Sequence, residues 1–113
     1  MLTDIQLEKY AKVLFWGMQK ARVTPFAPGD IVLLRTDLAA LPLAEKMQSL
    51  ILAQGLNPVL RINPPSTLEK GYFSLAKQEQ LSFDIPGDRE LYEHLAGLIS
   101  LLAPDSKIGR AHV

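Results

Sequence analysis

An α/β domain with a small, open, mostly parallel sheet of Rossmann-like type, flanked by helices, is what this sequence predicts. Three observations predict it. A short apolar run, Ile31-Val32-Leu33-Leu34, follows the turn signal Pro28-Gly29-Asp30, and its length and flanking Pro and Gly mark a strand covered on both faces. Leu43, Met47, Leu50, Ile51 and Gln54 then recur at helical spacing, and Gly55 stands where a left-handed C-terminal cap is wanted. A second apolar run, Pro58-Val59-Leu60-Arg61-Ile62, comes directly after. Strand, helix and strand make one βαβ unit, whose crossover is right-handed in nearly all known cases.

Taken in order, Thr3 to Ala21 reads as an amphipathic helix. Thr3 and Gln6 have the spacing of a capping box, in which each side chain reaches the other's free backbone N–H. Leu7, Tyr10, Ala11, Leu14, Met18 and Ala21 form one stripe, widened by Phe15, while Lys9, Lys12, Gln19 and Lys20 lie opposite as a solvated face. Val13 and Trp16 fall outside the stripe; a buried edge, or contact with another domain or subunit, would explain them. The prolines and glycine between Val23 and Asp30 break the chain. After the first strand, Thr36 or Asp37 can cap an early turn, and Pro42, tolerated only in a first turn, starts the regular helix near Leu41.

Beyond the second strand, Asn63-Pro64-Pro65-Ser66-Thr67 stops the chain. Ser66 and Glu69 have capping-box spacing, so a helix is expected from Thr67 to about Ala76, weakened by Gly71. Lys77–Leu81 reads as a separate short turn and Ser82–Ile85 as a weak strand or extended connection. Asp88 can cap a helix through Leu95. Gly97 then separates that helix from Leu98-Ile99-Ser100-Leu101-Leu102-Ala103, a third buried strand ended by Pro104 or, alternatively, a continuation of the helix. Asp105 to Val113 shows no periodicity. With no closing element there, residues 1–113 are expected to be a single α/β domain, the N-terminal fragment of a longer two-domain protein.

The composition narrows the function classes. The chain has 113 residues, 48% of them hydrophobic, with 12 basic and 12 acidic side chains, which suits one domain with a real core. A formal charge of zero speaks against nucleic acid as the main partner, since phosphate neutralisation needs a basic excess. The absence of cysteine excludes disulfides, thiol nucleophiles and cysteine-ligated metals. The start has no basic-then-apolar leader pattern, and no apolar run approaches the ~20 residues that span a bilayer; the expected location is cytoplasmic, with no membrane partner.

Catalytic signatures are missing. Neither G-x-G-x-x-G nor G-x-x-x-x-G-K-[ST] occurs, no Ser lies in a G-x-S-x-G elbow, and His94 and His112 stand apart, outside any H-E-x-x-H arrangement. No catalytic or metal-ligating residue is therefore assigned. Position is what remains. In open α/β sheets ligands collect at the carboxyl ends of strands, and here those ends carry Arg35-Thr36-Asp37 and Arg61-Ile62-Asn63. Arg35, Thr36, Asp37, Arg61 and Asn63 are thus the candidate contact residues. Two readings stand side by side for them: capping and internal ion pairs, or direct contact with a ligand.

These residues and their order resemble the N-terminal domain of the two-domain metalloaminopeptidases typified by aminopeptidases T and S. The matching stretches are Leu7-Glu8-Lys9-Tyr10-Ala11-Lys12-Val13-Leu14, Pro28-Gly29-Asp30-Ile31-Val32, Leu41-Pro42-Leu43-Ala44, Gln80-Leu81 and Leu98-Ile99-Ser100-Leu101-Leu102-Ala103-Pro104. The resemblance covers nearly the whole chain and implies a parent that removes N-terminal residues from peptides with a dinuclear divalent metal, zinc or cobalt, and that forms a homodimer. It further implies that the metal ligands and acid–base residues belong to a C-terminal domain, with which this one walls a peptide cleft and joins in assembly. Alternatives of other classes are a stand-alone small-ligand or phosphate-binding domain using the strand ends, and an enzyme with a site around Arg35, Asp37 and Arg61.

Overall fold

The computed structural model describes residues 2–102, and the backbone of residues 111 and 112. The elements run α1 (Asp4–Lys20), β1 (Ile31–Thr36), a 3₁₀ turn (Leu38–Ala40), α2 (Leu41–Ala53), β2 (Asn57–Ile62), α3 (Ser66–Leu75), α4 (Gln78–Leu81), α5 (Asp88–Glu93), β3 (Leu95–Leu101) and β4 (Ala111–His112). The sheet has the order β2-β1-β3-β4. β1 pairs in parallel with β2 on one side and β3 on the other, and β4 pairs antiparallel with β3 through Ser100–His112 and Leu101–Ala111. The α/β class and the three parallel strands are as expected. The pairing of Ala111 and His112 corrects the expectation that nothing after Asp105 is regular; Ala103, the expected end of the third strand, lies outside the described residues.

Local chemistry sets the first helix. The Thr3 hydroxyl accepts from the Gln6 backbone N–H at 3.2 Å, and Gln6 Oε1 accepts from the Thr3 N–H at 2.8 Å, the reciprocal box expected. Leu7, Ala11, Phe15 and Met18 are buried, with Tyr10 and Leu14 packed at their flanks. Ala21, expected on the stripe, is exposed. Val13 and Trp16 are 62% and 60% exposed, so a buried edge within this chain does not explain them. Pro42 lies in the first turn of α2. Gly55, at φ 75°, makes the left-handed exit that a side chain would strain.

Strand alternation assigns the two faces. On one, Val32 and Leu34 join Ile99 and Leu101 of β3 against α1 and α2, where Leu43, Ala44, Met47 and Ile51 complete the core. Leu33 points to the other face and is equally inaccessible to solvent. That face belongs to the β2–β3 connection, whose α5 is tied to it by a 2.9 Å ion pair between Arg61 and Asp88. Both crossovers leave β1's neighbourhood in opposite directions, so right-handedness puts them on opposite faces.

The third strand begins earlier than expected. Its register with β1 slips between Ile31–Leu95 and Val32–Gly97, leaving Ala96 as an extra residue, a bulge. Gly97 therefore sits inside the strand and does not separate it from a helix. A β-carbon there would come within 3.3 Å of the Phe26 ring, so the glycine admits Phe26 against the sheet. Arg22 completes the corner: its guanidinium lies 3.8 Å from the Phe26 ring centroid and donates to the carbonyl of the bulged Ala96. Helix α5 is correspondingly short, with Gly87 and not Asp88 at its N-cap. Similarly, Pro65 precedes α3, Ser66 is already helical, and no side-chain cap forms. Ser82–Ile85 is an irregular connection and not a strand.

None of the three helices of the β2–β3 connection, α3, α4 and α5, buries a residue, unlike α1 and α2. The radius of gyration, 15.6 Å, exceeds the roughly 13 Å of a compact chain this long, as a segment standing off the core requires. The central role of β1 is directly measurable: Leu33→Ala should lower unfolding free energy by about 2–5 kcal/mol, read by chemical denaturation. A loss below about 1 kcal/mol would remove β1 from the centre of the fold.

Candidate functional site

The carboxyl ends of the strands converge. The backbone N–H of Asn63 donates to the Thr36 carbonyl at 2.8 Å, and that of Asp37 to the Leu101 carbonyl at 3.1 Å. β1, β2 and β3 are thereby joined just beyond their last residues. Thr36 is fully buried, and its hydroxyl donates to the Asp37 carbonyl at 2.8 Å. Asp37 stands at the N-cap position of the 3₁₀ turn without a side-chain cap bond; its carboxylate instead accepts from the Asn63 amide at 2.8 Å. Among the described residues no buried side-chain polar atom lacks a partner. Thr36, Asp37 and Asn63 thus form one bonded group, and their chemistry is spent on holding strand ends.

The arginines lie on the opposite face from α1 and α2. Arg35 and Arg61 are direct cross-strand partners, a like-charge arrangement that costs free energy unless neutralised. Arg61 is neutralised by Asp88, both groups partly exposed. Arg35 is exposed and has Ser100 as its partner on the β3 side; among the described residues it makes no ion pair. Of the five candidates, therefore, Arg35 alone keeps a charge turned to solvent at the end of the central strand. His94 is local: its Nδ1 lies 2.8 Å from the Glu90 carbonyl, as a donor one turn on.

A second feature was not expected from sequence. Leu68, Tyr72, Phe73, Leu75 and Phe83 all stand half or more exposed. Several of them line a groove of about 810 Å³ between α3 and α4, together with Gly71 and Ala76. A helix over Thr67 to about Ala76 is legible in the sequence, but the lack of cover over its apolar residues is not, because periodicity marks an apolar face without saying what meets it. A ten-residue helix is marginal in water alone, so its apolar side calls for a partner surface.

A family model described as thermophilic metalloprotease (M29) matches residues 3–111. The chain belongs to the M29 metalloprotease family. This is the family that aminopeptidases T and S typify, and the M29 assignment agrees with the resemblance on which the sequence reading rested. No curated protein and no solved structure is a significant match. M29 membership implies a metal, yet the described residues do not suit one: no three His, Cys, Asp or Glu side chains among them are close enough to hold an ion, where hydrolytic zinc sites use three protein ligands. No described helix is long and apolar enough to cross a membrane.

The two kinds of strand-end residue should separate by mutation. Asn63→Ala should cost about 1–3 kcal/mol, because it removes a partly buried bond to a carboxylate. Arg61→Ala should cost less than about 1 kcal/mol, as exposed ion pairs do, and Arg35→Ala should stay within about 0.5 kcal/mol of wild type. Urea denaturation of the three variants checks the order; equal losses for Asn63 and Arg35 would contradict the structural assignment.

Proposed function

We propose that this chain is the non-catalytic N-terminal domain of a metal-dependent aminopeptidase that removes N-terminal residues from peptides. In this reading the dinuclear zinc or cobalt site and the acid–base residues reside in a C-terminal domain of the same parent. The present domain walls the peptide cleft and supplies an assembly surface, in a parent that is a homodimer in the cytoplasm. The observation that carries the reading is the uncovered apolar face of α3 and α4 in a chain of the M29 family. A domain with an organised core but an unfinished flank suits a component of a larger assembly. Arg35 is the cleft candidate best placed to meet a peptide, with Arg61 held beside it by Asp88.

A stand-alone phosphate- or small-ligand-binding role at the strand ends is less well supported. There Thr36, Asp37 and Asn63 are bonded to one another, and Arg61 has its own carboxylate.

Positioning and metal chemistry are separable contributions to hydrolysis. In the full-length parent, Arg35→Ala should reduce peptide hydrolysis while metal content and stability stay at wild-type values, and Arg61→Ala should act mainly through the α5 attachment. Unchanged kinetics for both would make the arginines structural and reduce the domain to scaffold and assembly.

Calorimetric titration of residues 1–113 with Zn²⁺ or Co²⁺ should show no stoichiometric tight site; one tight site per chain would overturn the division of labour between domains. Phe73→Lys should leave the unfolding free energy of residues 1–113 within about 0.5 kcal/mol of wild type. The same substitution should disrupt assembly of the parent, measured by sedimentation. Intact assembly would remove the α3–α4 face from the interface.

A further inference from the structure

The sheet ends at β2, and its outer edge has an unusual pattern of donors. Asn57 and Asn63 send their N–H groups inward, to Asp30 and Thr36 of the β1 side at 2.8 Å each. In a parallel ladder the inward and outward residues alternate, so Pro58, Leu60, Ile62 and Pro64 turn their backbone outward. Both prolines lack an N–H. The outer edge therefore offers two donors, at Leu60 and Ile62, framed by a proline on either side. Leu60 and Ile62 are 41% and 47% exposed, and no described strand pairs with β2 on this side.

Proteins commonly block a free edge with proline or charge to prevent open-ended strand pairing. Here the blocks at Pro58 and Pro64 stop a long strand from docking but leave a window of about three residues. Alternating N–H and C=O groups at strand spacing are matched by another extended backbone, which identifies the occupant by chemistry. We propose that the Leu60–Ile62 edge receives a short peptide in extended form, held by its main chain. This proposal rests on the reading of the parent as a peptidase and makes the occupant its peptide substrate. Main-chain recognition is tolerant of side-chain identity, and the window fits a short stretch of peptide and not a whole strand. The window also adjoins Asn63, so the peptide would lie at the carboxyl end of the sheet, next to Arg61 and one strand further out than Arg35.

The test uses the full-length protein with EDTA present, so that no turnover occurs, and the pentapeptide Leu-Ala-Leu-Ala-Leu as probe. In the free protein the Leu60 and Ile62 amides should exchange rapidly with deuterium, and on peptide addition they should slow by about tenfold or more. Peptide N-methylated on one alternate set of residues should bind roughly fivefold weaker per lost bond, and peptide methylated on the other set should bind normally. A site that reads side chains would not show that alternation. Ile62→Pro removes an outward N–H, spares the inward bonds of β2 and should weaken binding by at least the same degree. Equal binding by both methylated peptides overturns the proposal, as does slow exchange at Leu60 and Ile62 before peptide is added. The metal-loaded protein separates the two readings. Alternating affinity without any hydrolysis keeps the edge and sinks the peptidase reading; hydrolysis without slowed exchange at Leu60 and Ile62 sinks the edge and keeps the peptidase.

Discussion

A strand paired along both edges and buried on both faces cannot be satisfied locally. β1 is such a strand: Val32, Leu33 and Leu34 are all fully buried, and β2 and β3 pair with it from either side. Parallel neighbours require crossovers, and right-handed crossovers leaving in opposite directions must cover opposite faces. The placing of α2 on one face and of the α3–α5 connection on the other follows from β1 standing between them. So does the depth of the α1–α2 core, because the residues facing those helices come from β1 and β3 alike.

The same geometry concentrates polar groups where the strands end. Asp37, Asn63 and Leu101 stand at the ends of three strands that are far apart in sequence, and their hydrogen bonds tie that rim of the sheet together. A rim of this kind is a poor place for reactive chemistry and a good one for holding something in register. Arg35 and Arg61 project from it as neighbours.

Much of this was legible because it is local. The capping box at Thr3 and Gln6, the proline in the first turn of α2 and the left-handed Gly55 are settled within a few residues, and sequence shows them. Features decided by distant partners were not legible. The third strand starts at Leu95 because Ile31 pairs with it and a bulge absorbs Ala96; Gly97 looks like a boundary until Phe26 is seen against it. Ser66 has a cap's chemistry, but the chain enters the helix at Pro65 and leaves it no free turn to serve. Among site residues, all five candidates do gather at strand ends. Which of them are committed was not readable, since Asp37 meets Asn63 across 26 positions and Arg61 meets Asp88 across 27.

One consequence concerns how this molecule can be watched. Its single tryptophan, Trp16, sits on the outer side of α1, with the Lys20 ammonium 5.8 Å from the ring centroid. An indole so placed already emits from water in the native state, so its colour reports little about whether the core is formed. It would shift to the blue when another surface closes over α1. Intrinsic fluorescence in this protein is therefore a gauge of association, and folding has to be followed by circular dichroism instead.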